Sequence, residues 1–337
     1  MSESFFKRLE QQAKTDPKGI AFPEVDNEMI LRAACEVVKL GAGKPTLIGN
    51  PQEIKQRLEE YGLSQDGIAV FDNTDLGVCE SIAAEYCKRY SDLSEKSVLR
   101  KIKNPLNCAM FLTKLNKTDC VAAGRAYTTA DVIIAAQSIL GLKEGCGVVS
   151  SLGIVNAPNF TGSEGGMLAI ADCAINPFPS ADELADIAIN SADTVSALMG
   201  WEPRVAMLSF STCGSSEHES IDLIRSSIDI VKTRKPNLKI DGEFQLDAAI
   251  VPAVAKKKVQ RESEVAGKAN VLIFPNLHAG NIGVKLIQIF GGADAYGPVL
   301  QGFAYPVCDF SRSAPLSEMM GNILILLVRA QKERNDA

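Results

Sequence analysis

Short runs of aliphatic and β-branched residues alternate along the chain with stretches whose apolar positions recur at helical spacing, the pattern of layered parallel α/β structure. In the first half the strand signals fall over residues 19–22, 46–48, 68–71 and 120–123. Between them, residues 27–40 place Met29, Ile30, Ala33, Ala34, Val37 and Val38 on one helical face, with Asp26 or Asn27 as cap and Gly41 as stop. Residues 74–90 read as a second helix that ends in Lys88-Arg89. Beyond Gly145 the strands lengthen: 148–155 and 167–175 flank the Gly-rich turn 161–166, and further strands are expected at 205–209, 248–251 and 271–274. Helices over 180–199 and 217–232 separate these, and a last apolar helix covers 316–331.

The change of texture puts a domain boundary near residue 145. The closing helix has no neighbour of its own in sequence, so it is expected to return to the first domain. The division expected is thus 1–145 plus 302–337 for a discontinuous first α/β domain and 146–301 for a second. A length of 337 residues suits two domains with ample cores.

Charge narrows the function. Against 35 Lys and Arg stand 41 Asp and Glu, a net charge of −6, and the basic residues are scattered. Nucleic-acid binding, which relies on clustered cations, is therefore not expected, and any anionic ligand must be held locally. No apolar run approaches the roughly 20 residues that cross a bilayer, and the opening Met-Ser-Glu-Ser-Phe-Phe-Lys is no signal peptide. Nine cysteines without a C-x-x-C pair read as reduced, mostly buried thiols of a cytoplasmic protein. Only His218 and His278 are present, which leaves little room for histidine metal sites or triads, and both read as structural or solvent-facing.

Familiar motifs fail in detail. Gly41-Ala42-Gly43-Lys44-Pro45-Thr46 has a misplaced first glycine and a proline after the lysine, so it is a helix stop and no phosphate loop. Gly145-Cys146-Gly147 lacks the third glycine of a dinucleotide fingerprint and leads into a strand. No nucleophile elbow and no spaced metal ligands are present.

Four polar strips follow strands, where α/β sheets bind ligands. In the first, Gly124-Arg125-Ala126-Tyr127-Thr128-Thr129-Ala130-Asp131 opens a helix whose N–H groups, two threonines and arginine suit a phosphate; an ordinary cap by Thr or Asp beside a solvated arginine explains it equally. In the second, Asp309-Phe310-Ser311-Arg312-Ser313-Ala314-Pro315-Leu316-Ser317-Glu318 precedes the last helix. Pro315 and Glu318 fit a capped helix start, but Ser311-Arg312 is not explained by capping. The other two strips are 209–216 and 274–283.

Together these strips resemble the phosphate acetyl/butyryltransferase family over nearly the whole chain. The resemblance is carried by AGRAYTTAD (123–131), DCAINPFPSADELADIAI (172–189), VAMLSFSTCGSS (205–216), DGEFQLDAAIVP (241–252), GKANVLIFPNLHAGNIG (267–283), AYGPVLQG (295–302) and DFSR (309–312). It implies two three-layer α/β domains with mainly parallel sheets, an interdomain active-site cleft, and a homodimer built through the second domain. The implied reaction moves an acetyl group between coenzyme A and phosphate, with acetyl-CoA and acetyl phosphate as partners, coenzyme A as co-substrate, and no metal or tightly bound cofactor.

The same resemblance assigns catalysis to Ser311, Arg312 and Glu318, and substrate binding to Arg125, Tyr127, Thr128, Thr129, Asn281, Tyr296, Gly297, Lys88 and Arg89. Glu318 would take the thiol proton of coenzyme A while Arg312 stabilises the phosphate and developing oxyanion. Ordinary values of about 4.3 for Glu and 8.5 for a thiol make full transfer cost about 5–6 kcal/mol. Glu318 is therefore expected to be partly desolvated, or its proton transfer coupled to attack.

The chain departs from the family pattern at Ser313-Ala314-Pro315, where Gly-Cys-Ser is usual. Cys213 replaces a lysine, and Ile134 and Ile289 stand where arginines are expected. Arg125, at a position usually small, is expected to supply one missing charge, and binding to lean on Arg312, Arg125 and the N–H groups after Thr128-Thr129. Propanoyl or butyryl transfer, a non-catalytic acyl-CoA-binding module, and a metal-dependent dehydrogenase are the competing readings. The last lacks a carboxylate cluster and nucleotide site.

Overall fold

In the computed structural model, residues 2–162 and 164–332 are described; Ser163 of the expected Gly-rich turn and the residues at the two chain ends lie outside them. The chain divides into two compact units, one comprising the residues up to Lys143 and those from Phe303 onward, the other Glu144–Gly302.

The first unit runs α1 (Ser2–Thr15), β1 (Lys18–Phe22), α2 (Glu28–Leu40), β2 (Gly43–Ile48), α3 (Pro51–Glu60), β3 (Ala69–Phe71), α4 (Leu76–Arg89), α5 (Glu95–Ile102), α6 (Pro105–Lys114), β4 (Cys120–Ala123) and α7 (Thr129–Ile139). The second unit contributes β5 (Ser150–Asn156), β6 (Met167–Ala171), α8 (Ala181–Met199), β7 (Arg204–Leu208), α9 (Glu219–Arg234), β8 (Lys239–Phe244), α10 (Leu246–Ile250), α11 (Pro252–Lys258), β9 (Val271–Ile273), α12 (Leu277–Gly291) and β10 (Asp294–Gln301). The chain then re-enters the first unit with β11 (Val307–Asp309) and α13 (Leu316–Lys332).

The first sheet has the order β11-β4-β1-β2-β3 and is parallel throughout. Its inner strands carry buried aliphatic runs, such as the fully covered Cys120–Ala123, as expected where helices pack on a parallel sheet, while the edge strand β3 is partly exposed. Helices pack on it in two groups, α13 with α1 and α2, and α6 with α5 and α7. Asn27 caps α2 through the Met29 N–H, and Gly41 ends it at φ 65°. The second sheet, β10-β5-β6-β9-β7-β8, is parallel from β6 to β8 and antiparallel at β10, β5 and β6. Among the described residues no helix is long and apolar enough to cross a membrane.

One expected strand is wrong. Residues 248–250 belong to the short helix α10, with Val251 as its extended C-cap, and the strand lies just before it, where Ile240 and Phe244 of β8 are buried. Ala248 and Ala249 are buried in this one-turn helix, and Pro252 opens α11 directly after it, so the apolar Ala-Ala-Ile run packs as helix. The short β11 and the irregular β10 carry no clear period, so the sequence pattern does not announce them.

Asp172 organises the strand ends of the second unit. It is 3% exposed, and its carboxylate accepts the N–H groups of Ser151, Ala174, Ile175 and Asn176 at 2.8–3.3 Å, the Asn176 amide, and the Ser151 hydroxyl. It thereby joins β5 to the loop after β6. Asp172→Asn turns one acceptor oxygen into a donor facing other donors and is expected to cost about 2–4 kcal/mol. Urea midpoints would show it, and an unchanged midpoint would refute it.

Candidate active site

In the first unit, Asp309 of β11 stands in register with Ala123 of β4, so the loops that follow both strands leave the sheet side by side at its carboxyl edge. Gly124 makes the approach possible. Its φ is 108°, and a Cβ there would lie 2.2 Å from Asp309 Oδ1 and 2.6 Å from the Phe310 nitrogen. The Thr129 hydroxyl crosses between the loops and donates to Asp309 Oδ2 at 2.6 Å.

A third strand end contributes Glu24, just beyond β1. It is 5% exposed, and its carboxylate accepts the N–H groups of Arg125 (3.1 Å), Ala126 (2.5 Å) and Tyr127 (2.9 Å). These donors, which sequence reasoning would offer to a phosphate, already hold an anion. Glu24 was missed, although an acidic residue directly after a parallel strand is itself the signal.

The start of α7 realises the capping reading. Thr128 accepts the Asp131 N–H, and Asp131 accepts the Thr128 N–H and hydroxyl. Hydrogen bonds from Thr128, with a smaller contribution from the Arg312 charge, hold the Asp131 carboxyl below the usual range. The N–H groups left to an anion here are those of Thr129 and Ala130 at most.

Arg125 does not reach outward as a free charge. Its Nη1 donates to the carbonyls of Ser311 (3.0 Å) and Ala314 (3.2 Å). The Ala314 N–H closes the same turn onto the Ser311 carbonyl at 3.1 Å. Ser311, Arg312 and Ser313 are exposed on that turn, with Ala314 buried beneath. Glu318 lies in the first turn of α13 and is exposed.

The buried carboxyl is Asp309. Burial pushes it from an ordinary 3.8 to about 6; the Thr129 hydroxyl and the Arg312 charge oppose the rise, and Glu24 adds to it. Its Oδ1 is buried without a partner.

The remaining residues lie elsewhere. Tyr127 is half-buried, and burial pushes its phenol up against opposing polar contributions from Leu106 and Asn104 at the start of α6. Lys88 and Arg89 end α4, where Arg89 pairs with Glu85 at 2.7 Å; neither is joined to the 124–129 or 311–318 loops among the described residues. A cavity of about 840 Å³ at α4 and α5, lined by Asn73, Leu76, Lys96, Arg100 and Lys103 among others, includes none of the expected residues.

In the second unit, the strips after β7 and β9 leave neighbouring parallel strands at one edge. Burial works to raise Glu243, but hydrogen bonds from Arg225, the Gly214 N–H and Ser211 hold it near 2, and they fix the 209–216 strip. Asn281 donates to the Cys173 carbonyl at 3.0 Å and accepts from Lys285. Tyr296 and Gly297 sit where β10 departs from its register with β5, and a Cβ at Gly297 (φ 118°) would meet the Leu152 carbonyl at 2.8 Å. His218 caps α9. Ile134 and Ile289 are exposed, 64% and 73%. All nine cysteines are unpaired, six of them buried and Cys213 exposed. Among the described residues no group of His, Cys, Asp or Glu is arranged to hold a metal ion.

Residues 4–327 match the family model described as Phosphate acetyl/butaryl transferase. The chain is 39% identical to a phosphate acetyltransferase of Thermoanaerobacterium thermosaccharolyticum over 97% of its own length and all of that protein. It is 38% identical to one of Clostridium acetobutylicum, covering 95% of this chain and 96% of the relative. A crystal structure of a phosphotransacetylase from Streptococcus pyogenes superposes with a TM-score of 0.89 at 32% identity, over 98% of this chain and 99% of that one.

Asp309 generates a pH prediction. A carboxyl whose pKa is raised on folding binds its proton more tightly in the folded chain, so it costs stability as pH rises from about 4 to about 6, and that cost is complete by pH 7. Asp309→Asn removes the titration. Relative to wild type, its stability is expected to rise by up to about 3 kcal/mol between pH 4 and pH 7.5; urea midpoints at the two pH values measure this, and a pH-independent difference would contradict it.

Proposed function

Because the chain belongs to the phosphate acetyl/butyryltransferase family and is an acyltransferase, a phosphate acetyltransferase, we propose that its chemistry is carried by the exposed 311–318 segment. Glu318 takes the proton from the coenzyme A thiol, and the sulfur attacks the carbonyl carbon of acetyl phosphate. The carbon–oxygen bond to phosphate breaks, and phosphate leaves with its electron pair. Arg312 stabilises the developing oxyanion and the departing phosphate, and Ser311 orients the thiol or hydrogen-bonds the intermediate. The reverse reaction uses the same groups.

The observation that carries this reading is the joint placement of Ser311, Arg312 and Glu318, exposed on one turn and helix start, at the carboxyl edge of a parallel sheet. Since Glu318 is exposed, proton removal coupled to sulfur attack is the route that fits. Among the described residues Arg312 has no ion-pair partner, while Arg125 is engaged with backbone, so Arg312 is the cation we assign to phosphate. Coenzyme A acts as co-substrate, and Thr128, Thr129, Asn281, Tyr296, Lys88 and Arg89 remain proposed substrate contacts. We also propose a cytoplasmic homodimer built through the second unit. Ile282, Leu286, Ile289 and Phe290, 50–82% exposed, line one face of α12, an apolar patch suited to an interface. A monomer mass by light scattering at micromolar concentration would refute the dimer.

Glu318→Gln is expected to lower kcat for acetyl-CoA formation from acetyl phosphate by about 10²-fold or more, and Arg312→Ala by about 10²–10³-fold. Wild-type kcat in Glu318→Gln would remove the base assignment. Comparing acetyl, propanoyl and butyryl phosphates should give the highest kcat/KM for acetyl, with steps of about 10–200-fold per methylene; a maximum at butyryl would reverse the acyl assignment.

A further inference from the structure

We propose that Arg125 is a positioning residue of the acyl-transfer site: its guanidinium straps the 311–314 turn and so sets where the Ser311 and Arg312 side chains stand. The inference rests on the catalytic reading of that turn given above. The two N–H bonds of one Nη1 end on the carbonyls of Ser311 and Ala314, the first and last residues of the turn, at 3.0 and 3.2 Å. Arg312 therefore lies inside the strapped segment, whose own closure, from the Ala314 N–H to the Ser311 carbonyl, shares an acceptor with the strap.

The strap is itself anchored. The Arg125 backbone N–H donates to Glu24 Oε2 at 3.1 Å, and Glu24 holds the next two N–H groups as well. A line of charge-assisted hydrogen bonds thus runs from the end of β1 through Glu24 and Arg125 to the turn, across 186 residues of sequence in its last step. Without it, among the described residues this exposed turn is defined by the Ala314 N–H bond to Ser311, the neighbouring Phe310 N–H bond to Ala123 and a long 3.4 Å contact between the Ser311 and Ser313 hydroxyls. Displacing a reacting group by about 1 Å can cost 10²-fold in rate. The role differs from binding phosphate directly, because a strap acts on kcat and a phosphate ligand on substrate affinity.

The test compares full-length wild type, Arg125→Met and Arg125→Lys. Arg125→Met is expected to lower kcat by about 30-fold or more, with KM for acetyl phosphate and for coenzyme A changed less than about 3-fold. Arg125→Lys, which keeps the charge but loses the planar fork, should recover part of kcat. Amide hydrogen exchange should quicken over 311–314 in Arg125→Met while the strands of the first unit keep their protection, and this readout needs no turnover. A raised KM for acetyl phosphate with kcat intact would make Arg125 a substrate ligand and overturn the strap, as would unchanged kcat or unchanged exchange over 311–314. If wild type shows no phosphate-dependent acetyl transfer, the catalytic reading fails, and the exchange measurement alone decides whether the strap exists.

Discussion

Parallel pairing of β11 with β4 is the contact on which the 311–318 segment depends. Three hydrogen-bonded positions, ending with Asp309 opposite Ala123, bring the chain back beside a strand it left 186 residues earlier. Everything around the turn follows from that register: Gly124 must lack a side chain, Thr129 can reach Asp309, and Arg125 can reach the Ser311 carbonyl. The return is entropically easier than its sequence separation suggests. Leu142 bridges Phe303, and the Ala304 N–H donates to the Gly141 carbonyl, so the intervening unit leaves and re-enters the first unit at neighbouring points and closes the loop as it folds.

Local electrostatics at this edge are tightly apportioned. Glu24 takes three backbone donors, the capping box takes two more, and Arg125 is committed to two carbonyls. Under the proposed chemistry that leaves Arg312 as the cation to meet a phosphate, on a chain whose net charge is −6. Long-range attraction of an anionic substrate is weak, and recognition depends on short-range contacts. Asp309, buried and raised to about 6, is the one carboxyl here whose charge the fold disfavours.

What the sequence reveals and what it hides divide along physical lines. The buried strands 120–123 and 46–48 announce themselves through continuous aliphatic runs, and the helix 28–40 through its face and its caps. β11 is three residues long and β10 is broken by Gly297-Pro298, so neither shows a period. The polar strips after strands are legible as places, because loops at carboxyl edges carry donors and hydroxyls. Which donors stay free is not legible, since that depends on partners such as Glu24, 101 positions from the N–H it accepts. Arg125 shows the difference best: its charge can be read from the sequence, but its engagement with the 311–314 carbonyls requires the register of two strands.

The discontinuity of the first unit has a consequence for its synthesis. On the ribosome β4 emerges long before its partner β11, and at roughly 5–20 residues per second the interval is about 10–40 s. Through that time the sheet ends at an unpaired, fully apolar strand, the kind of edge that recruits other chains. The second unit, contiguous in sequence, can complete its own sheet meanwhile. In a nascent chain the second unit can therefore finish its sheet while the first still waits for the residues from Phe303 onward, which makes β11 and α13 late folding elements of the first sheet.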